Sequence, residues 1–146
     1  MTAQLPLLLE PADLAAHLDD DNLLIVDLSK DQVYDQAHVP GAVHLDFKRL
    51  LAGTQPAPGL LPSDDALSAL FSELGLTPDT QVVAYDDEGG GWAGRLLWTL
   101  DVIGHKKYSY LNGGIHGWLA AELSTSSDRT RPEPSDYQVG EHDPAN

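Results

Sequence analysis

The chain has 146 residues, one domain's worth, and 42% of them are hydrophobic, enough for an ordinary core. Its 23 acids against eight lysines and arginines give a formal net charge of −15, a surface that repels nucleic acid and anionic lipid, so neither is an expected partner. There is no cysteine, which excludes disulfides, thiolate metal sites and a cysteine nucleophile from this sequence.

In chain order, the start from Met1 has no basic region ahead of its short apolar stretch, and no apolar run reaches the ~18 residues that span a bilayer. A cytoplasmic location without membrane contact is therefore the expectation. Residues 11–18 open with Pro11 and place Leu14, Ala15 and Leu18 at helical spacing. Leu23-Leu24-Ile25-Val26 reads as a strand buried on both faces, ended by Asp27. A short helix around residues 32–36 precedes the turn at Pro40-Gly41 and a brief strand over 42–45.

Residues 47–51 suggest a short helix, and 53–62 a glycine- and proline-rich loop. Ser63 is a good N-cap, with Asp64 and Asp65 where a helix dipole favours negative charge. Ala66, Leu67, Leu70, Phe71 and Leu74 form one apolar face, and Gly75 suits the helix end. Val82-Val83-Ala84-Tyr85 is a second buried strand. Ala93, Leu96, Leu97 and Leu100 define a helix stopped by Gly104. A strand over 108–111, a turn at Asn112-Gly113-Gly114 and a helix from about 115 to 121 complete the pattern. The expected domain covers residues 1–123; residues 124–146, rich in Ser, Thr, Asp and Pro, read as a tail or linker. Strands alternating with helices predict an α/β fold with a mainly parallel sheet of about five strands and helices on both faces.

The segment Asp86-Asp87-Glu88-Gly89-Gly90-Gly91-Trp92 joins a buried strand to a helix. Such a loop converges backbone N–H groups near a helix N-terminus, at the strand end where parallel sheets bind ligands. Its acids oppose an anion there: unit charges ~4 Å apart repel by about 1 kcal/mol in water and about 4 at an effective dielectric of 20. One of the carboxylates is instead a candidate to occupy the N–H cradle as an internal anion.

Several motifs together resemble the rhodanese family. Leu24-Ile25-Val26-Asp27 resembles its first strand with a terminal aspartate. Ala37-His38-Val39-Pro40-Gly41-Ala42 is similar to its Gly-His-Ile-Pro-Gly-Ala signature. Leu61-Pro62, Leu74-Gly75-Leu76 and Val82-Val83-Ala84-Tyr85 follow its spacing, and Leu111-Asn112-Gly113-Gly114-Ile115-His116-Gly117-Trp118 is similar to its Asp/Asn-Gly-Gly-x-x-x-Trp block. The resemblance implies a rhodanese-like fold over most of the chain and no cofactor.

In catalytic members a cysteine heads the loop, forms a low-pKa thiolate and carries sulfur as a persulfide. Asp86 stands at that position, so the resemblance implies a vestigial loop. It further implies the N-terminal, non-catalytic domain of a two-domain thiosulfate or mercaptopyruvate sulfurtransferase, whose partner is a C-terminal catalytic rhodanese domain of the same polypeptide. Ala93-Gly94-Arg95-Leu96-Leu97-Trp98, Gly104-His105 and the linker-like residues 131–137 are similar to that class. A stand-alone inactive module for protein binding or regulation is the alternative, and a hydrolase with Asp86 as nucleophile a third reading.

Among the remaining candidates, His38 is expected to shape the turn before Pro40 by hydrogen bonding. His105 is expected to favour a helix C-terminal dipole, and Arg95 to pair with one of the acids at 86–88. Trp92 and Trp98 are candidates for a partner-facing surface, with Trp98 alternatively in the core. The histidines lack zinc-like spacing and the acids lack a calcium-loop pattern, so no metal site is expected.

Overall fold

A computed structural model describes residues 7–18, 22–46, 64–87, 90–127 and 135. The expected helix at 47–51, the loop at 53–62, the Ser63 cap, and Glu88 and Gly89 of the acidic loop lie outside the described residues, as do the side chains of Asp64 and Asp65.

The elements run β1 (Leu8–Leu9), α1 (Pro11–Ala15), β2 (Leu23–Asp27), α2 (Asp31–Gln36), β3 (Val43–His44), α3 (Asp64–Leu74), β4 (Gln81–Tyr85), α4 (Gly91–Val102), β5 (Tyr108–Leu111) and α5 (Gly114–Ala120). The five strands form one sheet in the order β1-β5-β4-β2-β3, and every pairing is parallel. The expected α/β architecture is thus the observed one.

Strand periodicity sorts the core into two layers. Val26 of β2 and Val82 and Ala84 of β4 pack with Leu67, Leu70 and Phe71 of α3 and Leu96, Leu97 and Leu100 of α4. Ile25, Val83 and Tyr85 point the other way, against Leu14 of α1, Tyr34 of α2 and Ile115 and Trp118 of α5. Every residue of β4 is buried. With helices on both sides a central strand has no polar face, which is why β2 and β4 read as continuous apolar runs.

Gly75 ends α3 with φ +85° and Gly104 follows α4 with φ +90°, both as their position in the sequence requires. Two features lie beyond the periodicity. Strand β1 adds to the outer edge through Leu8 opposite Tyr110 and Leu9 opposite Leu111. Within the expected tail, Ser126 and His38 exchange both backbone hydrogen bonds at 2.8 Å. Ser135 reaches the end of α3, its N–H donating to the Ser72 carbonyl (2.7 Å) and its hydroxyl to the Leu76 carbonyl (2.6 Å).

Candidate functional site

After β2 the chain moves outward to β3, whereas after β4 it moves the opposite way to β5. The carboxyl ends of β2 and β4 therefore flank the point where the winding reverses, the place where open parallel sheets leave a crevice. Asp27 and Tyr85 face each other in register there. The loop that begins at Asp86 rises directly above them.

The Asp86 side chain turns inward and is 1% exposed. Its Oδ1 accepts the Gly90 N–H at 2.9 Å; its Oδ2 accepts the N–H groups of Trp92 at 3.1 Å and Ala93 at 2.9 Å. These donors belong to the last loop residue and the first turn of α4, groups with no partner inside the helix. The candidate internal anion is thus Asp86, and it fills the cradle instead of opposing it. Both oxygens are turned into backbone and withdrawn from solvent, which leaves no exposed face for nucleophilic attack and corrects the hydrolase reading.

Glycine makes this closure geometrically feasible at two points. Gly90 has φ +100°, and a Cβ there would lie 2.9 Å from the Tyr110 hydroxyl oxygen. Gly114 has φ +56°, and a Cβ there would overlap the Asp86 carbonyl oxygen, which accepts the Ile115 N–H at 3.1 Å. The Asn-Gly-Gly turn and the acidic loop are therefore in direct contact.

Asp87, 7% exposed in its side chain, pairs with Lys30 at 3.9 Å, and its carbonyl accepts from His116 Nε2 at 3.0 Å. Asp27 is wholly buried. Its Oδ1 accepts from the Ser29 N–H at 2.7 Å and from the Ser29 hydroxyl. Burial pushes its carboxyl above the usual range, opposed by hydrogen bonds from Ser29 and Tyr85. The Tyr85 hydroxyl accepts the Val39 N–H at 3.0 Å; burial first, and the Asp27 charge second, hold its pKa far above the ordinary value.

His38 does shape its turn. Fully buried, it donates from Nδ1 to the Tyr34 carbonyl at 2.7 Å and stacks on the Tyr34 ring at 3.8 Å and 6°. Tyr34 in turn donates to the Ala42 carbonyl at 2.6 Å. Pro40 and Gly41 (φ +84°) lie between these two anchors. Asp27, His38, Pro40 and Gly41 thus belong to one scaffold under the crevice. Tyr34 and Tyr85 complete it; the sequence placed Tyr85 in a buried strand but gave no signal for Tyr34.

Above the scaffold opens a cleft of about 370 Å³ lined in part by Ser29, Lys30, Gln32, His44, Asp46 and Trp92. Trp92 is half-buried and packs against the core. Gly91, at the start of α4, is exposed, with open space where a Cβ would be.

Arg95 lies over the Trp98 ring, 4.6 Å from its centroid. Trp98 is 47% exposed, so its alternative place in the core is not the observed one. Of the acids expected to pair with Arg95, Asp86 is engaged by backbone, Asp87 faces Lys30 and Glu88 lies outside the described residues. His105 corrects a second expectation. It is buried and donates from Nε2 to the Thr80 carbonyl at 2.8 Å, and burial lowers its pKa against the pull of backbone hydrogen bonds at Thr80 and Lys107. It clamps the turn after α4 to the residue that leads into β4. Among the described residues, no three His, Asp or Glu side chains are grouped to hold a metal ion, and no helix is long and apolar enough to cross a membrane.

A family model described as the rhodanese-like domain matches residues 10–121. The chain is 48% identical over 141 residues to the thiosulfate sulfurtransferase of Azotobacter vinelandii, covering 97% of the chain and 52% of that protein. It is 52% identical over 132 residues to the thiosulfate sulfurtransferase of Pseudomonas aeruginosa, covering 90% of the chain and 48% of that protein. Among solved structures it is similar to the 3-mercaptopyruvate sulfotransferase SseA of Escherichia coli. The TM-score is 0.85 and the identity 27%, over 96% of this chain and 57% of that one. The chain spans about half the length of the curated relatives it matches.

Proposed function

The chain belongs to the rhodanese-like domain family, and from that premise we propose that it is the non-catalytic domain of a tandem thiosulfate or 3-mercaptopyruvate sulfurtransferase. Its partner is a second, cysteine-bearing rhodanese-like unit of the same polypeptide, and its role is to pack against that unit and wall the donor pocket. The thiolate of the second unit bonds to the donor's transferable sulfur as that sulfur's bond to the donor breaks, leaving a persulfide and releasing sulfite from thiosulfate or pyruvate from 3-mercaptopyruvate; cyanide or a thiolate then takes the persulfide's outer sulfur and frees the thiolate. The reading includes a cytoplasmic location and partners other than nucleic acid or membrane, in keeping with the charge of −15.

The observation that carries the reading is the Asp86 carboxylate seated on three backbone N–H groups at the loop mouth. A carboxylate there forms no persulfide, and the sequence has no thiol elsewhere to do so. The half-length match to sulfurtransferases supports the tandem arrangement. The test is a thiosulfate:cyanide assay, read as thiocyanate, on the 146-residue chain and on the polypeptide its gene encodes. The expected result is turnover only in a longer polypeptide with a second, cysteine-headed loop. Turnover by the 146-residue chain overturns the reading; a stop codon directly after Asn146 favours a stand-alone binding module.

A further inference from the structure

Strand β5 passes into α5 through a tight turn at Asn112 and Gly113. Of the three asparagines in the sequence, at positions 22, 112 and 146, it is Asn112 that a glycine follows. Both turn residues are exposed. Gly113 has φ +80° and no Cβ to shield its amide nitrogen. As the residue ahead of α5, its N–H is no part of the helical ladder. A side-chain amide beside such a nitrogen is chemically labile.

The surroundings of Asn112 give that lability a structural consequence. Its Nδ2 donates to both carboxylate oxygens of Glu10, at 3.0 and 3.3 Å. Its backbone N–H donates to the Leu9 carbonyl at 2.9 Å. Glu10 is the single residue between β1 and α1, and its carboxylate makes no cap on that helix. The side-chain pair, 102 residues apart in sequence, is therefore a second tie between the N-terminal segment and the β5–α5 turn. The main chain of Asn112 is also closely seated. A Cβ on Gly117 would overlap the Asn112 carbonyl oxygen and lie 3.8 Å from Pro11 Cγ.

We propose that Asn112 is a site of spontaneous deamidation, and that its conversion loosens β1 and α1 from the edge of the fold. The Gly113 nitrogen bonds to Asn112 Cγ while the Cγ–Nδ2 bond breaks. The proton of that nitrogen passes through solvent to the departing amide, which leaves as ammonia and a succinimide remains. Water then adds to one of the two imide carbonyls. Cleavage at Cγ gives aspartate; cleavage at the main-chain carbonyl carbon gives isoaspartate. Either product replaces the Nδ2 donor by a carboxylate facing Glu10, so an attraction becomes a like-charge repulsion. The isoaspartyl product also lengthens the main chain by a methylene where Gly117 packs on it. Glu10 restrains the reaction as well, because the imide closes only when the Asn112 side chain turns onto its own main chain, away from that carboxylate.

The test follows the 146-residue chain through incubation in warm, mildly alkaline buffer. Peptide mass reads the conversion, and chromatography separates aspartyl from isoaspartyl peptides. Asn22, followed by Leu23 and with its Nδ2 on the Asp79 carbonyl at 3.1 Å, is the internal control. Asn112 should convert at least about tenfold faster than Asn22. Glu10→Ala should convert at Asn112 about threefold faster again, with Asn22 unchanged, and Glu10→Gln, which keeps one acceptor oxygen, should fall between. Hydrogen exchange over residues 8–15 should quicken in the converted chain and in Asn112→Asp, whereas Asn112→Gln, too long to close the same ring, should not age. Conversion of Asn112 no faster than that of Asn22 overturns the site. An unchanged rate in folded Glu10→Ala overturns the restraint by Glu10. Equal exchange over residues 8–15 before and after conversion overturns the loosening.

Discussion

Oδ2 of Asp86 accepts the N–H of Ala93, seven residues further along the chain, at 2.9 Å. A single carboxylate thereby closes the acidic loop onto the helix that follows, acting as an N-cap from the far side of the turn. Asp86→Ala leaves the Gly90, Trp92 and Ala93 donors without their acceptor. It is expected to lower stability by about 2–3 kcal/mol in urea unfolding, combining a lost cap with buried unpaired N–H groups. Asp86→Asn retains one acceptor oxygen and should lose less. An Asp86→Ala variant as stable as the parent would show that the loop is held by other means.

Two glycines should respond in opposite directions to the same substitution. Gly114→Ala forces a Cβ into the Asp86 carbonyl at positive φ and is expected to cost about 3–4 kcal/mol. Gly94→Ala adds a methyl group to open space inside α4 and should stabilise the chain by about 0.5–1 kcal/mol. Thermal melts of the two variants beside the parent decide both.

Tyr85→Phe removes the oxygen that accepts the buried Val39 N–H. The expected loss is about 1–3 kcal/mol, the penalty of a donor left without a partner in the interior. Hydrogen exchange at the Val39 amide should accelerate at the same time. Unchanged protection there would mean that this contact does not hold the corner.

Burial sets the sign of one pH dependence. Below its ordinary pKa of 6.5, His105 takes up a proton in the unfolded chain that the folded chain resists. Its contribution to stability is complete above pH 6.5 and is lost as pH falls through the lowered folded value. His105→Gln retains a donor for the Thr80 carbonyl and has no proton to gain, so its stability should fall less between about pH 7.5 and 5.5 than that of the parent. Asp27 acts with the opposite sign. Its carboxyl is raised, so its contribution is complete below pH 3.8 and lost as pH climbs through the folded value. Equal slopes for parent and His105→Gln between about pH 7.5 and 5.5 would remove His105 from the acid response.

The interior strands were legible because burial on both faces writes an unbroken apolar run, as in Val82-Val83-Ala84-Tyr85. Helix ends were legible where a glycine adopts positive φ, as at Gly75 and Gly104. Strand β1 was not, since two residues within a leucine run carry no period. The Asp86 cap was visible only as one option among three adjacent acids, because choosing between them needs the direction of the loop. The burial of His105 was not legible for a related reason: its position after a glycine is local, whereas its partner Thr80 stands 25 residues earlier, just ahead of β4. The Arg95–Trp98 stack has the spacing of neighbours on a helix face, a signal present in the sequence.

The pairing of Leu8 with Tyr110 joins one of the first described residues to one of the last strands. Central strand β4 likewise bonds to β5 on one side and β2 on the other. During synthesis, then, the early segment must wait with an unsatisfied edge until residues 108–111 have emerged from the ribosome. A nascent chain stalled short of that point exposes both Leu9 and the flank of β4, and is the species most in need of a chaperone.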